Sequence, residues 1–163
     1  MVARVVRMTD YIVVGRSVPI EASVAEIQSW INDFHRWIDW SPWEGLDPDL
    51  QRSYSGPNQG VGARYEWSGN RKAGAGHMTL EAISDLEIDI ALTFTKPFKS
   101  KSKAHFVFET NGHQTDVLWQ ILTPRTLLLK VMSIFVKLDK TVGPDLEVGL
   151  ARLKVVSESG ARS

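Results

Sequence analysis

From Tyr11 to Ile20 the chain reads YIVVGRSVPI, a β-branched run that predicts a strand with Pro19 near its end. The period then lengthens. In EASVAEIQSWINDF, Val24, Ile27, Ile31 and Phe34 recur at helical spacing, and Ser23 with Glu26 forms a capping box that starts the helix. Beyond residue 60 the period becomes two. Ala63, Tyr65 and Trp67 share one strand face opposite Arg64, Glu66 and Ser68; Met78, Leu80 and Ala82 alternate with His77, Thr79 and Glu81. LEIDIALTF is more regular still, with Leu86, Ile88, Ile90, Leu92 and Phe94 on one face. Phe106 and Phe108 are expected to pair with Val117, Trp119 and Ile121 across ETNGHQ, where Asn111-Gly112 signals a hairpin. The short connections carry Gly, Asn or Pro, so these strands predict an antiparallel meander with one apolar and one wet face.

Helical spacing returns at the end. Thr123-Pro124 reads as an N-cap followed by proline at the first helical position, and Leu128, Met132, Phe135 and Leu138 continue the pattern. After Gly143-Pro144, Leu146, Leu150 and Leu153 share a face, with Asp145 and Glu147 early and Arg152 and Lys154 late, as the helix dipole favours. An unbroken helix over 124–156 would be about 50 Å long, against roughly 40 Å for the width of a domain this size. A break or kink is therefore expected near Gly143-Pro144. The sheet's apolar face must be covered, and the C-terminal helix is the one element long enough to do it, which makes the fold class α+β.

At 163 residues the chain is expected to form one domain, with an ordered core over about 10–157. Lys+Arg and Asp+Glu are both 19, which argues against a partner recruited by bulk charge, whether nucleic acid or anionic membrane. The absence of cysteine excludes disulfides and thiolate metal sites. MVARVVRMTD holds no apolar stretch of signal-peptide length, and no run approaches the roughly 20 apolar residues of a membrane span. The expectation is a cytoplasmic protein, monomer or homodimer, without a nucleic-acid partner or stable membrane insertion.

Sequence chemistry is sparse. GPNQGVGARY leads into a strand rather than a helix and lacks the Lys-Ser or Lys-Thr of a phosphate loop, so Gly60 and Gly62 read as turn and bulge residues. His35, His77, His105 and His113 share no metal-ligand spacing, and Asp47 with Asp49 is too small a set to hold a cation. No nucleophile elbow or triad is visible, and no cofactor or metal is expected. Lys96, Lys99, Lys101 and Lys103 read as a solvated strand edge, with a phosphate or lipid-headgroup contact as the alternative. Three of the six tryptophans, Trp37, Trp40 and Trp43, fall within FHRWIDWSPW. They read as a seal at one end of the core, or as a wall or gate of a cavity.

The stretches FHRWIDWSPWEGLDPD, YSGPNQGVGARYEWSGN, GAGHMTLEAI and LDKTVGPDLEVGLARLK resemble the polyketide cyclase/dehydrase-type members of the START-like (SRPBCC) superfamily. Asp139, Gly143, Asp145, Glu147, Gly149, Leu150, Leu153 and Lys154 match that family's C-terminal pattern. The resemblance implies a helix-grip fold, in which a curved antiparallel sheet wraps a long C-terminal helix and two short helices follow the first strand. It also implies a cavity between sheet and helix for a small hydrophobic molecule such as a lipid, polyketide or isoprenoid. The residues expected at its wall are Trp40, Tyr65, Trp67, Met78, Leu80, Ile90, Leu92, Phe106, Trp119, Met132 and Phe135. Alternatives are a cyclase or dehydratase acting in the same cavity, and a protein-binding regulator or chaperone activator. For catalysis the candidates are Tyr65 and Arg16, the latter in phase with Ile12, Val14, Val18 and Ile20 and so directed inward.

Overall fold

The computed structural model describes residues 10–125 and 132–161, the latter without the side chains of 132–138 and 161. Strand β1 (Tyr11–Ile20) leads into α1 (Val24–Ile31) and a 3-10 helix (Phe34–Asp39). Six strands follow: β2 (Gln51–Ser55), β3 (Arg64–Ser68), β4 (Ala75–Ile83), β5 (Glu87–Lys96), β6 (Ser100–Asn111) and β7 (Gln114–Pro124). The C-terminal helix, α2, spans Met132–Ala161. The seven strands form one antiparallel sheet in the order β1-β7-β6-β5-β4-β3-β2. The chain therefore lays its first strand against its last, and β2 to β7 run as a meander from the opposite edge.

Parity along the strands decides what enters the core. Leu80, Ile88, Ile90, Phe106, Phe108, Val117 and Trp119 are buried against α1 and α2, whose Ile27, Ile31, Leu146, Leu150 and Leu153 close the other side. Each such side chain contributes about 1.5–3 kcal/mol on leaving water. Two register shifts in β4, at Ala75/Gly76 and Leu80/Ala82, bend the strand and help curl the sheet. Gly60 and Gly62, both at positive φ, carry the turn before β3, where the Gly62 N–H reaches the Leu80 carbonyl at 2.9 Å.

Several expectations need correction. Thr123-Pro124 does not start the final helix: both residues belong to β7, and Pro124 pairs with Tyr11 at the strand's end, where a missing N–H removes little. Leu128 lies outside the described residues, as do the side chains of Met132, Phe135 and Leu138. Helix α2 runs unbroken through Gly143-Pro144. A methyl built at Gly143 would lie 2.8 Å from Cζ of Arg16, so this glycine makes room for a guanidinium. The last hairpin turns on Gly112-His113, because Asn111 already pairs with Gln114. Leu86 precedes β5 and is exposed, and Ala82 is exposed beyond the bulge.

Candidate functional site

The segment FHRWIDW finishes α1. A helix end leaves four carbonyls without intrahelical partners, and here each has one. The Asn32 carbonyl accepts from the Gly60 N–H at 2.9 Å, and the Ser29 carbonyl from Nη1 of Arg36 at 3.2 Å. The indole of Trp40 donates to the Trp30 carbonyl and that of Trp37 to the Ile31 carbonyl, both at 2.9 Å. Arg36 also lies 3.6 Å over the Trp30 ring. The two indoles thus enter the core with their only polar atoms satisfied.

Behind them the aromatic block is dense. Trp37 and Trp40 are 4.5 Å apart, Trp40 meets Trp119 edge-on at 5.5 Å, and Trp119 stacks on Phe106 at 5.1 Å. Trp40, Leu80, Ile90, Phe106 and Trp119 lie in this packed half of the grip. A cavity of about 270 Å³ opens in the other half, well above the roughly 30 Å³ share of one water. Tyr65, Trp67, Met78 and Leu92 meet there, joined on the wall by Trp37, Trp43 and Phe94. The loop after the 3-10 helix closes it through Ser41, Pro42, Glu44, Leu46 and Leu50, and Asp145 reaches it from α2.

Those loop residues carry the polar chemistry, and they escaped the sequence reading because an irregular loop has no period to betray which side chains turn inward. The Glu44 carboxylate pairs with Arg52 on β2. Burial, followed by the charges of Glu44 and Tyr54, pushes the Tyr65 hydroxyl up to about 12, so it stays a proton donor at neutral pH. The Trp67 indole is engaged by the Ala73 carbonyl at 3.0 Å. Asp47, weighed as a cation ligand, instead accepts from the backbone N–H groups of Asn70 (2.8 Å) and Asp49 (2.9 Å). Arg152 on α2 holds the loop through the Ser41 carbonyl at 3.0 Å. Among the described residues no three His, Asp or Glu side chains converge to hold a metal.

Arg16 sits elsewhere. It faces α2, with Nη1 at 3.0 Å from Asp139 and Nε at 2.9 Å from Glu147, and its guanidinium rests over Gly143 between them. Those carboxylates hold its proton still more firmly than usual, and it does not line the cavity.

No family model matches the sequence, and a search of curated proteins finds no match. Solved structures do match. A START superfamily protein from Mycobacterium smegmatis superposes with a TM-score of 0.60 at 16% identity, over 90% of this chain and 97% of that one. This is the START-like helix-grip fold. The di-domain ARO/CYC protein StfQ of the steffimycin biosynthetic pathway shares the grip, with a TM-score of 0.67 at 10% identity over 96% of this chain. DynU16, from the dynemicin biosynthetic locus, gives 0.60 at 14% identity over 91% of this chain. The chain spans about half the length of these two, 54% of StfQ and 48% of DynU16. At such identities the likeness is one of fold. Among the described residues no helix of the grip is long and apolar enough to cross a membrane.

Proposed function

We propose that the chain binds a small hydrophobic molecule, a lipid, polyketide or isoprenoid, between the sheet and α2. The observation that carries this reading is the cavity itself, about 270 Å³ walled chiefly by Trp37, Trp43, Tyr65, Trp67, Met78 and Leu92. Aromatic walls with a methionine suit flexible apolar guests. A guest hiding about 350 Å² of apolar surface gains roughly 9 kcal/mol before ordering costs, which sets the micromolar range as the tight limit for burial alone. Glu44 and the protonated Tyr65 hydroxyl supply an acceptor and a donor that orient a hydroxyl or carbonyl on the guest. The origin of StfQ and DynU16 in biosynthetic loci supports a polyketide-like guest.

Binding is favoured over cyclisation in the same cavity. Proton transfer needs a group able to change state near the operating pH. Tyr65 holds its proton to about 12, Glu44 is paired with Arg52 and Arg16 faces α2, so catalysis would fall to Asp145 or Lys72 alone among the lining residues. The test is titration with a fluorescent fatty acid and a fused-ring aromatic polyketide mimic. Saturable binding is expected, weakened at least tenfold in Leu92→Trp, which fills the cavity, and in Trp43→Ala, which removes part of its wall. Thermal unfolding identifies any variant that has lost its fold. Absence of saturable binding across the panel, or affinities indifferent to both substitutions, would refute the reading.

A further inference from the structure

The β5–β6 hairpin ends in an exposed aromatic among cations, and this tip packs on a turn that lines the cavity. Pro97, Phe98 and Lys99 form the turn, and Phe98 is 80% exposed. Exposed Lys96 and Lys99 flank it. Exposed Arg71 and Lys72 come from the β3–β4 turn, and Lys72 also borders the cavity. The two turns pack together: a methyl built at Gly74 would lie 2.6 Å from the Lys96 carbonyl and 3.6 Å from Cδ of Pro97. The β3–β4 turn is in turn fixed to the cavity by the Trp67–Ala73 bond and by Asp47, which accepts from the Asn70 N–H. Among the described residues none of Arg71, Lys72, Lys96 and Lys99 has a carboxylate partner, whereas Lys103, further along β6, pairs with Glu81 at 3.8 Å.

We infer that this tip docks the protein on an anionic lipid surface, with Phe98 inserted at the headgroup boundary and the four cations against lipid phosphates. An apolar ring held in water by a short turn gains on entering an interface, and each cation beside an anionic bilayer strengthens binding by about fivefold. The net charge of zero does not oppose this, since the field that matters is local and decays within about 10 Å. A single aromatic offers little to nucleic acid, which is held by successive stacking platforms. The choice of lipid over other polyanions rests on the hydrophobic-ligand reading of the adjoining cavity.

The experiment is co-sedimentation with vesicles of phosphatidylcholine alone and with one third phosphatidylglycerol. Binding is expected to the anionic vesicles at low salt, falling as salt rises. Lys96→Ala and Lys99→Ala should each weaken it about fivefold, and Phe98→Asp at least tenfold. In vesicle-free buffer all three variants should bind the fluorescent fatty acid as the parent does. Vesicle binding without uptake of that probe would sink the cavity reading and leave the docking tip standing. No sedimentation with anionic vesicles, binding unchanged in Phe98→Asp, or capture of a single-stranded oligonucleotide in place of vesicles would overturn the proposal.

Discussion

Gly149 lies on α2 where the helix crosses the boundary between packed core and cavity. A methyl built there would sit 2.7 Å from Cζ3 of Trp119 and 2.9 Å from Cδ of Pro42. Comfortable carbon contacts are about 3.5–4.0 Å, so both neighbours must retreat by roughly 1 Å. Neither does so freely. Trp119 is fully buried and held by Phe106, Trp40 and Trp43, and Pro42 belongs to the loop that closes the cavity. Replacing glycine with alanine inside a helix is worth about 1 kcal/mol in the variant's favour, while overpacking a filled core costs about 1–3 kcal/mol. The expected net effect of Gly149→Ala is therefore a destabilisation of about 1 kcal/mol by urea unfolding. If Pro42 yields rather than Trp119, the loss shows instead as weaker probe binding, because the cavity shrinks. A variant about 1 kcal/mol more stable than the parent, with unchanged probe affinity, would show that the crossing is loosely packed and that this reasoning is wrong.

Three further outcomes are expected. Thr115→Val removes a buried hydroxyl that donates to the Ala22 carbonyl at 2.8 Å, and should lower unfolding stability by about 1–2 kcal/mol. On the sheet's polar face, Nδ1 of His105 lies 2.5 Å from Asp89, which raises the imidazole's pKa, while the same contact lowers that of Asp89. The His105 contribution is complete below the ordinary histidine value and fades as pH climbs through the raised one; that of Asp89 is complete above the ordinary aspartate value and fades as pH falls through the lowered one. The parent's advantage over His105→Gln, about 0.5 kcal/mol for so exposed a pair, should peak between about pH 4 and 6.5 in unfolding curves taken across pH. Trp67→Phe deletes the N–H that holds the Ala73 carbonyl, so stopped-flow measurement should show faster probe release while the far-ultraviolet circular dichroism of the sheet is retained.

Strands β3 to β7 were legible because one face of each meets the core, so burial writes a period of two into the residues. β2 was not: Gln51–Ser55 is an edge strand exposed at nearly every position, and a single inward ring, Tyr54, makes no period. The α1 start was legible through Ser23, whose hydroxyl accepts from the Glu26 N–H at 3.1 Å. Gly143-Pro144 carried a double meaning. Its composition suggests a helix break, yet the glycine answers to Arg16, 127 positions earlier in the chain by numbering, and no local pattern contains that contact. The site was half legible for a similar reason. Parity marks Leu80 and Leu92 alike as inward, but only position along the curled sheet decides that Leu80 is encased and Leu92 faces open space. Glu44, Ser41 and Asp145 depend on a loop and a helix crossing that the strands' alternation does not encode.

The fourfold closure of α1's last carbonyls bears on how a guest arrives and leaves. Prising the two short helices apart would strip three of these acceptors at once, two of them from indoles seated in oil, so that end behaves as a fixed wall. Residues 41–50 hang from α2 by Arg152, from β2 by the Glu44–Arg52 pair and from the β3–β4 turn by Asn70, which donates to Asp47 and the Leu46 carbonyl, contacts that water can replace one after the other. On the binding reading proposed above, a guest is expected to pass this flap, and deuterium should label its amides well before that of Asn32.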